Sequence, residues 1–244
     1  MNIIRSNYSN NSIALIQWAR EQKLDDIAVC YVDTGWAGQG WLDHVARCEA
    51  FVKALGFEAV HLLARMPFAD LINTKQGFPT QRYQWCSLHL KGITFLQWLD
   101  ARDPHSQATV LLPKRNGEHP EHSIAQFVDA CEYHGDRKVW HPLHQHSVVE
   151  RDALVERAGF AVLPHRSLEC DPCINSTVAD LLRLHPRDIE KTAELEDDVA
   201  TPMFDPALCD GAEGIHALLT EVRAARIKSL PFRYGCSAAF GCGY

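Results

Sequence analysis

The sequence predicts an α/β protein: a doubly wound, mostly parallel sheet with a helical, cysteine-bearing C-terminal part. Three observations carry this. Apolar runs rich in β-branched residues alternate with segments of helical period over residues 1–146. Polar loops follow directly on several of those runs, as binding loops do at the carboxyl ends of parallel strands. Beyond residue 147 the strand signals stop and only helical patterns remain.

Taken in order, strands are expected at 2–5, 26–32, 59–63, 108–112 and 139–142. Helical patterns lie between them at 12–22, 40–55, 87–101 and 123–133. This alternation favours parallel strands covered on both faces. The rest is read as a C-terminal region, 147–244, packed on the same domain. There "VVERDALVERAG" is a helix ending at Gly159, and "INSTVADLLRLHPRDIEKTAELEDDV" is two helices divided at Pro186. "EGIHALLTEVRAARIKS" is another, and the tail "LPFRYGCSAAFGCGY" is irregular.

A formal charge of −7 argues against sequence-blind nucleic-acid binding, which calls for a surplus of Lys and Arg. No stretch approaches the roughly 20 apolar residues of a membrane span. The N-terminus lacks the pattern of a secretory signal, so a cytoplasmic location is expected. In that compartment the nine cysteines suit metal, cluster or redox chemistry better than disulfides.

The loop "SNYSNNS" (Ser6, Asn7, Tyr8, Ser9, Asn10, Asn11, Ser12) stands between a strand and a helix. Ser and Asn there either cap the helix or add donors to an anion site at its N-terminus. "VDTGW" ends the second strand with Asp33, Thr34 and Gly35. The carboxylate either closes a turn or meets a ribose hydroxyl or a nucleotide-bound metal. "RYQWCSLHLKG" supplies Cys86 at a helix start and Lys91 within it, and "LPKRNGEHPEHS" adds Lys114 and Arg115. Cys170 and Cys173 form a CxxC, a motif that serves zinc, an iron–sulfur cluster or a redox dithiol. Cys236 and Cys242 are further candidates, whereas Cys30, Cys48 and Cys131 read as buried structural residues. The group His141, His144 and His146 reads as solvated or structural, and Trp36, Trp41 and Trp85 as packing residues.

In their order these motifs resemble the phosphoadenylyl-sulfate (PAPS) reductase family, of the adenine nucleotide α-hydrolase-like superfamily. The Ser-rich loop before an apolar helix matches "SNYSNNSIALIQWA", and the D-T-G strand end matches Asp33, Thr34 and Gly35. A Cys-to-Lys helix start matches Cys86 to Lys91 loosely, with one extra residue. Lys114-Arg115 stands for the arginine-bearing loop, and "HPLHQHSVVERDALVERAGF" for a "P-L-x-x-W-S-x-x-D-V" stretch with His146 replacing Trp. "ECDPCINS" resembles the "G-C-x-P-C" motif of the iron–sulfur branch. The likeness spans roughly residues 1–180.

The resemblance implies an oxidoreductase of the sulfonucleotide reductase type. An adenine nucleotide would lie over residues 6–12, with Lys91 and Arg115 neutralising its anionic groups. A [4Fe–4S] cluster (alternatively zinc) would be held by Cys86, Cys170 and Cys173, with a fourth ligand left to Cys209, Cys236 or Cys242, or with one iron left open. The nucleophile would be Cys242 or Cys236, and the reductant a thioredoxin-like thiol donor. Three departures stand out. Trp85-Cys86 replaces a pair of cysteines, "FGCGY" only approximates the reductase ending, and Asn10 and Asn11 replace the Lys and Asp of "SGGKDS" in ATP-cleaving relatives. Two alternatives follow: an ATP-dependent sulfurtransferase releasing pyrophosphate, with nucleic acid among its acceptors, or a binding protein that has lost the reaction. A homo-oligomer is left open.

Overall fold

The computed structural model describes residues 1–117 and 124–230. Six strands form one sheet: β1 (Asn2–Arg5), β2 (Ile27–Asp33), β3 (Glu58–Leu63), β4 (Thr109–Leu111), β5 (Phe127–Cys131) and β6 (Arg137–Trp140). Their order is β3-β2-β1-β4-β6-β5, and every pairing is parallel except that of β5 with β6. The chain moves outward from β1 to β2 and β3, then crosses back to place β4 on the other side of β1. The strand order therefore reverses between β1 and β4, where a crevice opens beyond their carboxyl ends.

Alternation along the strands supplies two cores. Ile4, Val29, Tyr31 and Leu111 face one side, under α1 (Asn10–Glu21), α2 (Trp41–Ala54) and α5 (Val148–Arg157). Ile3, Ala28, Cys30, Val32, Val110 and Val139 face the other, where Phe95 and Leu99 of α4 (Ile93–Arg102) pack. Strands buried on both faces read as continuous apolar runs, as "IAVCYVD" does.

Segment 123–133 departs from the expected helix. It contains β5 and a single 3-10 turn, Glu132–His134. Ile124, Phe127, Val128 and Cys131 recur at helical spacing, which misled the periodicity. A register irregularity between Val128 and Cys131 breaks the two-residue alternation of a plain strand. A short helix, α3 (Phe68–Lys75), also lacked a clear signal. The expected helix at 87–101 is a π-helical turn, Ser87–Gly92, leading into α4.

The C-terminal helices are α5, α6 (Val178–Leu182), α7 (Pro186–Val199) and α8 (Gly214–Arg223). Their starts are explicit in the sequence. Ser147 with Glu150 and Thr177 with Asp180 form capping boxes, and Pro186 takes the first position of α7. Leu181, Ile189, Leu195, Ile215 and Leu218 bury against Trp36, Phe68 and Ile72 in a third core. Among the described residues, no helix is long and apolar enough to cross a membrane.

Candidate functional site

A cavity of about 370 Å³ opens in the crevice between β1 and β4. Its floor comes from Arg5 at the end of β1 and Ser6 after it, Cys30 and Val32 of β2, and Leu112 to Lys114 after β4. Asn7, Ser9, Asn10 and Asn11 line one wall, and His165 to Ser167 with Glu169 line another. Five cationic side chains converge on it: Arg5, Lys91, Lys114, Arg151 and Arg166.

The opening loop folds on itself. Asn7 Oδ1 accepts from the Ser9 N–H at 3.1 Å and from the Ser12 hydroxyl at 2.9 Å. Ser6 Oγ accepts from the Tyr8 N–H at 3.0 Å, with Tyr8 in the left-handed region at φ 52°. These bonds aim the start of α1 at the cavity. Ser9 is its N-cap, yet the Ser9 side chain makes no capping hydrogen bond. Ser9 instead lines the cavity wall at the helix N-terminus, where the first backbone N–H groups lack intrahelical partners.

The loop is then tied to residues 163–169. Asn10 binds both backbone groups of Leu163, and Asn7 Nδ2 donates to Ser167 Oγ at 3.0 Å and Glu169 Oε1 at 3.4 Å. Asn11 Oδ1 accepts from Arg151 Nη1 at 3.1 Å and Arg115 Nε at 3.4 Å. The loop carries no lysine, but other elements bring cations to the same place.

Lys91 and Ser87, on the π-helical turn, also line a second, small apolar cavity. Cys86, Cys170 and Cys173 converge on that cavity together with Phe68, Leu90, Ile174 and Met203. The two chambers therefore share a wall. Lys91 Nζ stands 2.9 Å from Glu169 Oε1, with both side chains largely buried. The CxxC segment is docked by the turn after β2. Thr34 Oγ1 donates to the Glu169 carbonyl at 2.7 Å, Cys170 Sγ approaches Thr34 Oγ1 at 3.4 Å, and Trp36 Nε1 donates to the Pro172 carbonyl at 3.1 Å.

Three thiols on one apolar chamber are donors of the kind that zinc and iron–sulfur clusters both take, one short of the usual four. Among the described residues, no three His, Cys, Asp or Glu side chains stand close enough to hold a single metal ion.

Of the expected nucleotide residues, Ser6, Ser9, Asn10, Asn11 and Lys91 line the cavity. Tyr8 and Ser12 do not: both are fully buried, with the Tyr8 ring against Tyr31 and the Ser12 hydroxyl on Asn7. Asp33 accepts from the Gly35 N–H at 2.8 Å, closing its own turn, and neither it nor Thr34 nor Gly35 lines the cavity. Gly35 has φ 68°, and a Cβ there would meet Pro67 Cβ at 2.8 Å. Arg115 donates to the His146 carbonyl at 3.1 Å, and its neighbour Lys114 is the lining residue.

Cys209 is buried in the C-terminal core, where burial pushes its thiol up to about 11; it does not line the three-cysteine chamber. Cys30 and Cys48 are likewise held protonated, each pushed up to about 12 by burial. Cys236 and Cys242 lie outside the described residues. Trp36 and Trp41 are buried, as expected of packing residues. His141 is fully buried, and burial pushes its imidazole down to about 4.

Sequence reasoning missed Arg5, Arg151, His165, Arg166, Ser167 and Glu169 as lining residues. Arg5 alone had a local signal, a charge closing an apolar strand. The others reach the cavity only through the return of residues 150–169 over the loop.

No family model matches the sequence, and no curated protein matches it. Its structure is similar to that of phosphoadenylyl-sulfate (PAPS) reductase from Candida auris in a phosphate complex, with TM-score 0.47 and 10% identity, over 68% of this chain and 75% of that one. It is also similar to the U34-tRNA thiolase NcsA from Methanococcus maripaludis with its [4Fe-4S] cluster, with TM-score 0.46 and 13% identity, over 92% of this chain and 71% of that one.

Proposed function

We propose that the chain is an enzyme of reductive sulfur chemistry that takes an adenine sulfonucleotide, adenylyl sulfate or its 3′-phosphorylated form. One observation carries this reading: a cation-lined cavity at the strand-order reversal shares Lys91 and Ser87 with a chamber lined by Cys86, Cys170 and Cys173. The anionic groups of the nucleotide would lie against the α1 N-terminus, Ser9, Lys114 and Arg151, where backbone N–H groups and fixed cations act in a partly dry site.

In the reaction, a tail thiolate (Cys242 or Cys236) attacks the sulfate sulfur. A sulfur–sulfur bond forms, the sulfur–oxygen bond to the phosphate breaks, and AMP (adenosine 3′,5′-bisphosphate from the 3′-phosphorylated form) leaves with that electron pair. A thiol of a thioredoxin-like donor then attacks the cysteine sulfur and expels sulfite. The donor's second thiol restores the enzyme thiol and leaves the donor oxidised to a disulfide. Lys91, Lys114 and Arg151 orient the anhydride and offset charge on the departing phosphate. A cluster held by Cys86, Cys170 and Cys173 would supply an iron–sulfur centre beside the nucleotide.

A second reading is ATP-dependent sulfur transfer, and a specific observation favours it. Arg151 and Arg115 both reach Asn11, so the cationic charge missing from the loop is present from other elements. Anaerobic incubation with either sulfonucleotide and reduced thioredoxin distinguishes the two. Equimolar sulfite and AMP, or adenosine 3′,5′-bisphosphate from the 3′-phosphorylated substrate, support the reductase. Pyrophosphate from ATP in the absence of any sulfite supports the transferase. Neither product leaves a binding protein.

A further inference from the structure

The turn that leaves the CxxC buries a side chain that the fold itself does not use. Asn175 is 1% exposed, and neither its Nδ2 nor its Oδ1 has a hydrogen-bond partner among the described residues. No other described residue has both polar ends of its side chain buried in that state. Buried amides are paired as a rule, because leaving water without a replacement partner is unfavourable. The turn cannot swing this amide elsewhere, since its backbone is pinned along its length. The Ser176 N–H donates to the Cys173 carbonyl at 2.7 Å, and Ser176 Oγ accepts from the Cys173 N–H at 3.0 Å. Gln81 Nε2 donates to the Ile174 carbonyl at 3.1 Å, and Arg166 Nη1 to the Asn175 carbonyl at 2.9 Å. Cys173 and Ile174 line the three-cysteine chamber, and Asn175 is the next residue, outside that lining.

We propose that Asn175 is a positioning residue of the metal centre in that chamber, its amide donating to the sulfur of a ligand thiolate. This rests on the reading of Cys86, Cys170 and Cys173 as ligands of an iron–sulfur cluster or zinc. A cysteine that binds metal does so as the thiolate, which carries negative charge and no proton. It therefore accepts hydrogen bonds and offers none, whereas an amide brings two N–H donors without a charge. Cys173 is two residues away on the same pinned turn. The two side chains answer each other: the amide lacks an acceptor, and the bound thiolate calls for a donor. Hydrogen bonds of this kind orient a ligand, help to retain the metal and tune the potential of a cluster.

The test uses the full chain purified without oxygen, with its iron, sulfide and zinc measured. Asn175→Leu keeps roughly the volume and removes both unpaired polar atoms, so the fold should be retained. The bound metal should pass to a chelator about tenfold faster or more, as the loss of an outer partner predicts. Where the metal is an iron–sulfur cluster, its midpoint potential should become more negative, because N–H donors favour the reduced state with its greater negative charge. Asn175→Ala also removes the amide, without the bulk of Leu, and should show the same shifts. An amide that only fills the fold would lower the thermal midpoint and leave the potential where it was. Wild-type rates of metal loss, or an unshifted potential, in either variant overturn the proposal and spare the ligand assignment. Wild-type protein that holds neither iron nor zinc overturns the proposal and the ligand assignment together.

Discussion

Asn10 holds Leu163 by both ends of its amide: Nδ2 donates to the Leu163 carbonyl at 2.9 Å, and Oδ1 accepts from the Leu163 N–H at 2.9 Å. This pair joins the first loop of the chain to a segment more than 150 residues later. It closes one wall of the cavity. Asn10→Ala should therefore cost about 1–3 kcal/mol in urea unfolding, since two backbone groups lose their partner. The same variant should weaken AMP binding. Asn10→Asp should do so as well, because a carboxylate cannot donate to the Leu163 carbonyl. Wild-type affinity in both variants would show that the 163–169 wall is not part of the site.

Removing a cavity cation should reduce affinity without affecting the fold. Lys114→Gln or Arg151→Gln is expected to weaken AMP about tenfold, in line with the loss of a charge-assisted contact. Raising the salt concentration should narrow the difference between wild type and variant. A variant with unchanged affinity at low salt would place the phosphate elsewhere.

The three-cysteine chamber makes a separate prediction. Protein purified without oxygen should contain iron and sulfide. Cys86→Ser, Cys170→Ser and Cys173→Ser should each deplete both, whereas Cys48→Ser, in a different core, should not. Iron content equal across all four variants would contradict the ligand assignment.

Stability should fall in mild acid. Burial pushes the imidazole of His134 down to about 3 and that of His141 down to about 4, from an ordinary value near 6.5. The unfolded chain takes up protons near pH 6.5 that the folded chain refuses until much lower pH. Their contribution is therefore fully present above pH 6.5 and is lost as the pH falls towards 4. The thermal midpoint should drop across that window, and His141→Gln should make the drop shallower. An unchanged midpoint from pH 7 to pH 4 would contradict the burial of these rings.

Arg137 is almost fully buried, with Nε 2.7 Å from Asp103 Oδ2 and Nη1 2.8 Å from Asp100 Oδ1. The two partners differ in exposure, so their loss should differ in cost. Asp103→Ala strips the buried partner and should destabilise by about 3–5 kcal/mol. Asp100→Ala removes a solvent-screened partner and should cost about 1 kcal/mol or less. Equal losses in chemical denaturation would show that burial does not govern this network.

Much of this architecture was legible in the chain. Strands such as "IAVCYVD", apolar throughout, and helix starts such as Ser147 with Glu150 are local signals, and they led to the right elements. β5 was not legible, because its irregular register puts Phe127, Val128 and Cys131 at helical spacing. Within the site, the loop 6–12 could be picked out by its position after a strand, but the roles of its side chains could not. Tyr8 and Ser12 turn inward because the loop closes on Asn7, a consequence of its folded shape. Arg166 and Glu169 reach the cavity because the chain returns over the loop, and spacing in sequence carries no trace of that return. The three cysteines were legible as candidates by residue type, and their meeting on one chamber depends on Thr34 and Trp36 docking the CxxC segment.

The central claim is that the crevice between β1 and β4 holds the phosphate end of an adenine nucleotide beside the cysteine chamber. A crystal structure of the anaerobically purified protein with bound AMP tests it most directly. The expected result is the phosphate against the α1 N-terminus, Ser9, Lys114 and Arg151. Nucleotide density at any other surface, with the crevice empty, would contradict it.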